Sequence, residues 1–300
     1  LVQTISFQNY PMKKTLLLLM GFMMTFQLCL GQLLTEPNKP SVACGTDDSK
    51  ISVENLAFIQ NAQKYIAQKK ASRTAVNPGR VARIAIEVDY PTYQSYNGDT
   101  DLIKKEAILQ INQVSKVYER DMNIKLVVTC FNFWTTAQSD PYSDTSDIYE
   151  MLRRLYYNWN PANTNARFYH LRNQYDKVIY LTAKSFSGAG GVAYLEGRES
   201  VCPWGLSNLN VIAHELGHNF GSPHTQNCSW PGGPIDYCYA SEGACYEKSL
   251  EIIKGSIMSY CQAKDEFHPL CQAVIEQHAT AKMQEITGEI SSVLLPSFFT

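Results

Sequence analysis

The chain has 300 residues, of which 45% are hydrophobic and 18% charged, and its formal net charge is −2. This composition predicts an ordinary soluble globular protein with one main domain and a sizeable core. Because a near-neutral chain provides no basic field, we expect no nucleic-acid partner. We also expect a monomer without a stable membrane anchor.

The N-terminal segment has the pattern of an export signal. Residues 1–11 lack an initiating Met, and Met12-Lys13-Lys14 then precedes an apolar run that ends near Met24. A short positive segment before such a run is typical of a secretory signal peptide, which we predict at residues 12–31, with residues 1–11 as an upstream non-native start. The run is shorter than the roughly 20 residues that a membrane span needs. We therefore predict secretion to the extracellular space or the periplasm.

The nine cysteines agree with export. Cys29 falls in the predicted signal, and an even number remains, which suits an oxidising compartment and disulfide bonds. Their pairing does not follow from the sequence. Five of the eight lie between Cys228 and Cys271, so we expect disulfides to staple the long loop there; the eight are Cys44, Cys130, Cys202, Cys228, Cys238, Cys245, Cys261 and Cys271.

The remaining chain divides into a lead-in, a main domain and a tail. Residues 32–78 are polar and carry one amphipathic helix candidate, about 53–70, as expected of a pro-segment or lead-in; the main domain is predicted at 79–290 and a tail at 291–300. Strand and helix patterns then alternate, which indicates a mostly parallel sheet covered by helices. The predicted strands are 81–90, 124–130 and 177–182, and the predicted helices are 99–119, 146–159, one beginning after Ser207 or Asn208, and about 270–286.

A glycine-rich stretch precedes the last two helices. Its second half (Gly190, Gly191, Val192, Ala193 and Tyr194) is strand-like. We interpret it as a sheet edge whose backbone is free to pair with an extended peptide. An ordinary edge strand after a loop explains the same pattern.

The most informative stretch runs from His214 to His224. On a helix, His214 and His218 lie one turn apart and can direct ring nitrogens at one ion, while Glu215 stands beside them. Gly221 can leave the helix with a positive φ, and Pro223 prevents the helix from resuming. The turn brings back His224, so the spacing predicts a three-histidine zinc site.

Three protein ligands indicate a catalytic zinc, because a structural site closes with four. In the open position zinc lowers the pKa of water to about 7 and polarises a carbonyl. Glu215 is placed to act as general base and then as general acid on a zinc-bound water.

The extended motif, together with Ser256-Ile257-Met258-Ser259-Tyr260, resembles the metzincin clan of zinc metallopeptidases, and residues 213–221 resemble its reprolysin (adamalysin) group. Thr225 differs from the Asp that reprolysins usually carry after the third histidine. The resemblance implies a mixed α/β (α+β) fold: a mostly parallel twisted sheet with an antiparallel edge strand, covering helices, a zinc-motif helix and a smaller, irregular C-terminal subdomain.

The resemblance also implies individual roles. His214, His218 and His224 would be the metal ligands, Glu215 the catalytic residue, and Met258 the apolar floor of a methionine turn. Tyr260 matches either a tyrosine that moves onto the oxyanion or a packed aromatic. Cys44-Gly45 resembles a cysteine switch, in which a thiolate holds the metal of a zymogen, but a disulfide would also account for Cys44.

We therefore expect a secreted zinc-dependent endopeptidase that cleaves extended polypeptides. The alternatives are a non-catalytic zinc-containing module that binds protein partners, and a peptide amidase acting on cell-wall substrates. One catalytic Zn²⁺ is the expected cofactor. A structural Ca²⁺ is left open by the sequence.

Overall fold

The computed structural model describes residues 44–71, 79–245, 255–261 and 265–285. These residues belong to one compact unit, Pro40–Thr300. The predicted signal peptide at 12–31 and the tail at 291–300 lie outside the described residues. No helix among the described residues is long and apolar enough to span a membrane.

The fold centres on a mixed sheet with the strand order β2-β1-β3-β5-β4. The first four of these strands run parallel, and β4 pairs antiparallel with β5 at the edge. A short strand, β6, adds antiparallel pairing to the start of β1. The strands are β1 (Arg80–Val88), β2 (Ile124–Phe133), β3 (Lys177–Thr182), β4 (Val192–Ala193), β5 (Glu199–Pro203) and β6 (Gln284–Glu285).

Among the described residues, six α-helices flank the sheet: α1 (Val53–Ala71), α2 (Tyr90–Ser95), α3 (Thr100–Met122), α4 (Ile148–Trp159), α5 (Leu209–Asn219) and α6 (Pro269–Lys282). Alternate strand residues point to opposite faces. Ile179 and Leu181 of β3 join the cluster that contains α1, α3, α5 and α6, whereas Val178 and Tyr180 join the cluster under α4. The predicted α/β architecture, a mostly parallel sheet with an antiparallel edge strand and covering helices, is therefore confirmed.

Several predicted boundaries differ from the structure. The first strand stops at Val88, because the Asp89 side chain accepts a hydrogen bond from the Thr92 backbone and caps a new helix that begins at Tyr90. Strand β5 was not predicted; its short run precedes Trp204 without a turn signal of its own. The predicted side-chain cap of α5 is also absent, since Asn208 instead donates to the Trp204 carbonyl.

Cysteine pairing is less extensive than expected. Two disulfides, Cys228–Cys245 and Cys238–Cys261, staple the loop after the histidine motif, as predicted. Cys271 is not part of the staple. The described cysteines that remain free thiols are Cys44, Cys130, Cys202 and Cys271.

Candidate metal centre

Helix α5 carries the first two histidines into the interior. Its inner face packs through Ile212 and Leu216, and the carbonyl of Ala213 accepts a hydrogen bond from the hydroxyl of Tyr118. His214 and His218, one turn apart, are both buried. The helix therefore presents two imidazoles in one direction, as the four-residue spacing predicts.

The chain reverses sharply after α5 and brings in the third histidine. Gly221 has a φ of 85°, in the left-handed region that favours glycine. The Ser222 amide returns to the Gly217 carbonyl, and the Gly221 carbonyl accepts a hydrogen bond from the Asn55 side chain of α1. His224 thereby faces the two helical histidines.

The three imidazoles converge on one point. The Nε2 atom of His218 lies 3.1 Å from that of His214 and 3.1 Å from that of His224. The opposite nitrogens of the first two rings meet backbone carbonyls, with Nδ1 of His214 at 2.6 Å from Ile257 O and Nδ1 of His218 at 2.9 Å from Ser222 O. Because these carbonyls only accept, each Nδ1 carries the proton and each Nε2 offers a lone pair.

This donor set fits a zinc ion. The Nε2 atom of His218 lies 3.1 Å from each of the other two, and all three fall within 4.8 Å of one another, so the rings can share one centre at a zinc–nitrogen distance of about 2.0–2.1 Å. Burial lowers the pKa of His214 to about 3 and that of His218 well below its ordinary value, so both rings are neutral donors at physiological pH. Burial also raises the pKa of Glu215 to about 8, partly offset by hydrogen bonding from Cys44.

Cys44 lies against this group of imidazoles. Its Sγ is 3.5 Å from His218 Nε2 and 3.4 Å from a carboxylate oxygen of Glu215. The thiol is free, so the disulfide alternative for Cys44 is wrong. Ligand atoms of Cys44, His214, His218 and His224 all lie within 4.8 Å of one another, a spacing that could hold one metal ion.

The Nδ1 atom of His224 meets two carboxylates instead of a carbonyl. Asp48 Oδ2 lies at 2.9 Å and Glu242 Oε2 at 3.0 Å. Asp48 also accepts a hydrogen bond of 2.6 Å from the His224 backbone amide. Burial lowers the pKa of His224, but the two carboxylates outweigh it, so the net shift is upward. A carboxylate on the distal nitrogen of a metal ligand fixes the orientation of its ring.

Comparison with known proteins assigns this arrangement to a family. Residues 78–267 match a reprolysin model described as Metallo-peptidase family M12. The chain belongs to this metallopeptidase family. It is 27% identical over 224 residues to the human protein "Disintegrin and metalloproteinase domain-containing protein 19", and the match covers 69% of this chain but 21% of that protein. The chain thus spans about a fifth of the length of this curated relative.

One solved structure, "Structure of a chaperone-substrate complex", aligns with a TM-score of 0.38 at 16% identity, covering 49% of this chain and 25% of that chain. A likeness this slight carries no argument about fold or function. Membership of family M12 therefore stands on the sequence match, which implies zinc as the metal and polypeptides as substrates.

The methionine turn of this M12 chain lies directly beneath α5. Met258 is fully buried, and a Cβ added to Gly217 would come within 2.4 Å of its sulfur, so the helix can rest on Met258 only with glycine there. Thr225 joins the same turn: its amide donates to the Met258 carbonyl, and its hydroxyl donates to Asp236 at 2.5 Å.

Tyr260 is packed beside the imidazoles. Its ring centroid is 4.6 Å from that of His224, and its hydroxyl donates to the Cys44 carbonyl at 3.0 Å. Burial raises its pKa well above the ordinary tyrosine value. Tyr260 thus holds the segment that carries Cys44.

The glycine-rich edge strand passes over Glu215. A Cβ on Gly191 would lie 2.5 Å from a Glu215 carboxylate oxygen, so only glycine allows this approach. Val192 and Ala193 pair with β5, while Gly190, Gly191 and Tyr194 flank that pairing. A cavity of about 360 Å³ opens between this strand and α5, and its apolar walls include Phe186, Ala189, Pro203 and Val211.

The segment after Cys44 runs along the outer edge of this strand. The Gly45 amide donates to the Gly191 carbonyl at 2.9 Å, and the Thr46 hydroxyl bonds both the amide and the carbonyl of Ala193, at 3.0 and 3.1 Å. The edge that we interpreted as free for a peptide is therefore covered by the chain's own residues.

Sequence reasoning missed Thr46, Asp48 and Glu242. The sequence did contain a signal for the first two. Together with Cys44 they occupy every second position, and an extended segment directs alternate side chains to one side. Glu242 had no comparable signal, because it comes from the disulfide-bonded loop and reaches His224 only through the tertiary fold.

Proposed function

We propose that this chain is a secreted zinc endopeptidase that is synthesised in a latent form. The observation that carries the proposal is the convergence of three imidazole Nε2 atoms, with that of His218 at 3.1 Å from each of the other two, beside the buried carboxyl of Glu215. His214, His218 and His224 would hold the zinc ion. Glu215 is the proposed catalytic residue, and Met258 forms the floor beneath the ligands.

Peptide hydrolysis would use the chain's residues as follows. A zinc ion on the three rings would acidify a water molecule and polarise the scissile carbonyl. Glu215 accepts the proton of the attacking water and later delivers a proton to the leaving amine. Glu242 keeps the third imidazole oriented through Nδ1, and Tyr260 is a candidate donor to the oxyanion.

The substrate is proposed to be an extended polypeptide. Contacts of Gly45 and Thr46 with Gly191 and Ala193 resemble the addition of a strand to the sheet edge, and a substrate would take over those contacts. A side chain next to the scissile bond would enter the apolar cavity, which favours an apolar residue. Because Cys44 and its neighbours now fill these positions, the same contacts support latency.

Secretion is part of the proposal. Two disulfides among the described residues fit an oxidising compartment, since such bonds are rare in the cytosol.

The test uses a mixed peptide library and variants of the full chain. We expect the variant Cys44→Ala to cleave peptides without further treatment, a chelator to abolish that cleavage, and the double variant Cys44→Ala, Glu215→Ala to lose about 10²-fold or more in rate while still binding zinc. Cleavage that survives loss of Glu215 would contradict the mechanism. No cleavage by the variant Cys44→Ala, Thr46→Ala, Asp48→Ala with zinc bound would favour a non-catalytic binding module, because that variant lacks the side chains that the segment places on the metal centre and on Ala193.

A further inference from the structure

We propose that Lys177 is a positioning residue, which fixes the edge strand of the sheet relative to helix α5 and its histidines. The inference rests on the proposed function and deepens it, because a peptide bound along β4 meets the metal centre correctly only if β4 and α5 keep their spacing. Lys177 is the first residue of β3, and it is 2% exposed.

The Lys177 amine joins two backbone carbonyls from different elements. Its Nζ donates to Asn219 O at 2.6 Å, at the last residue of α5, and to Gly197 O at 2.8 Å, in the turn between β4 and β5. Carbonyls in the last turn of a helix lack a partner within the helix and carry the negative end of its dipole, so a cationic donor suits this place. One side chain therefore connects the end of α5 with the hairpin that contains the edge strand.

Three further hydrogen bonds join the same hairpin and helix. The amide of Glu196 donates to the backbone carbonyl of His218 at 2.9 Å. The side-chain amide of Asn219 donates to Tyr194 O at 2.9 Å and to Glu199 O at 3.0 Å. The turn of the β4–β5 hairpin is thus attached at several points to the final turn of α5, beside one of the proposed metal ligands.

Fixing this turn also fixes the edge strand. Val192 and Ala193 of β4 come shortly before it, and Gly191 lies so close to Glu215 that only glycine fits there. The approach of strand and helix is therefore constrained at both ends, by Gly191 near the carboxyl and by Lys177 at the turn. A shift of about 1 Å between a bound peptide and the catalytic groups can lower the rate by about 10²-fold.

Core packing alone does not account for a lysine at this position. The residues that follow in β3 include Val178, Ile179 and Leu181, which are fully buried, and burial of an amine costs free energy that an apolar side chain would not. Burial accordingly lowers the pKa of Lys177 to about 7. A neutral amine still has two N–H groups, so both carbonyl contacts persist in either protonation state. The amine therefore serves to align two elements rather than to fill the core.

The experiment compares two hydroxamates, which bind zinc, on the zinc-loaded full chain with Cys44→Ala, Thr46→Ala, Asp48→Ala, the parent chain. Acetohydroxamate reaches only the metal, whereas a peptide hydroxamate also pairs with the edge strand. We expect Lys177→Met to lower the affinity for the peptide hydroxamate by about 10-fold or more and to leave that for acetohydroxamate within about twofold, because only the first ligand needs β4 and α5 in register.

Lys184→Met is the matched control. Lys184 also donates to backbone carbonyls, to Tyr142 O at 2.7 Å and to Ser143 O at 3.2 Å, but these belong to neither α5 nor the β4–β5 hairpin. The ratio of the two affinities should equal that of the parent chain in this control. In peptide cleavage, Lys177→Met should lower kcat/KM by about 10-fold or more at unchanged zinc content.

Amide hydrogen exchange tests the alignment without zinc and without turnover. The Glu196 amide, which donates to His218 O, should exchange about 10-fold or more faster in Lys177→Met than in the parent chain, while Lys184→Met leaves it unchanged. Lys177→Gln, whose side chain is one atom shorter, should show a smaller change in the same direction and replaces Lys177→Met if that variant does not fold.

Unchanged exchange at Glu196 in the Lys177 variants, or an unchanged ratio of hydroxamate affinities, would overturn the inference. Rapid exchange of this amide in the parent chain would overturn it as well, whichever variant folds. A parent chain that binds zinc and both hydroxamates but cleaves no peptide would contradict the proposed function alone, because the affinity ratio and the exchange rates do not depend on turnover.

Discussion

His224 contacts the other imidazoles through Nε2 and two carboxylates through Nδ1. Its Nδ1 faces one carboxylate from the segment before α1, Asp48, and one from the disulfide-bonded loop, Glu242. Under the proposed function, activation displaces the first carboxylate, and the second remains as the partner of the ring. We therefore propose Glu242 as a positioning residue for His224.

Replacement of Glu242 by alanine should weaken zinc binding by about 10- to 100-fold, the usual effect of losing a carboxylate behind a histidine ligand. The measurement is a competition titration with a chelator, made in the Cys44→Ala, Asp48→Ala background so that neither the thiol nor the other carboxylate on His224 contributes. Asp101→Ala removes an exposed carboxylate of α3 and serves as the control. Equal zinc affinity of the Glu242 variant and the control would show that His224 is oriented by other contacts.

At the scale of elements, α1 links the lead-in to the catalytic domain. Its sequence predicts an amphipathic helix, and the structure confirms one with Ile59 inside and Leu56 exposed. What the helix covers is α6 and the turn at Gly221, both far away in sequence. Residues 32–78 were predicted as one pro-segment or lead-in, yet their helix packs as part of the core.

Ile59→Ala should lower the free energy of unfolding by about 2–4 kcal/mol, because it removes buried methylene groups and leaves a cavity. Leu56→Ala, a matched truncation on the exposed side of the same helix, should change it by less than about 0.5 kcal/mol. Denaturant unfolding of the full chain measures both. Similar values for the two variants would mean that α1 contributes no core packing.

For the whole molecule, one buried carboxyl joins the central sheet to α4. Glu87 of β1 is fully buried and accepts hydrogen bonds from the indole N–H groups of Trp134, at 2.5 Å, and Trp159. Burial raises its pKa to about 7, although the indole donors act in the opposite direction. The folded protein therefore holds this proton more tightly than the unfolded chain.

This shift predicts a loss of stability on the alkaline side. The contribution of Glu87 is fully present below its unfolded pKa of about 4.5 and is lost as the pH rises through about 7. Between pH 5 and 8 the free energy of unfolding should fall by at most about 3 kcal/mol from this group. Glu87→Gln cannot ionise, so its free energy of unfolding should not show that fall. It should be lower by the same amount at every pH, because one indole contact is lost. Parallel pH profiles of the two proteins would contradict the assignment.

The spacing of residues along the sequence was enough to predict that the three histidines converge. His214 and His218 face one way because a helix returns after one turn, and Gly221 permits the bend that brings His224 to them. The mostly parallel sheet followed from alternating strand and helix patterns, but its strand order did not. The roles of Glu215, Met258 and Tyr260 stay predictions, since their positions agree with those roles without testing them.

Only the tertiary structure decided what faces the histidines from elsewhere in the chain. Cys44 was compatible with either a disulfide or a metal-site thiol, and its free Sγ beside His218 depends on contacts between residues more than 170 positions apart. Glu242 reaches His224, and α1 reaches Gly221, for the same reason. A sequence pattern records local periodicity and turn chemistry, whereas these contacts arise from the packing of distant elements against a shared core.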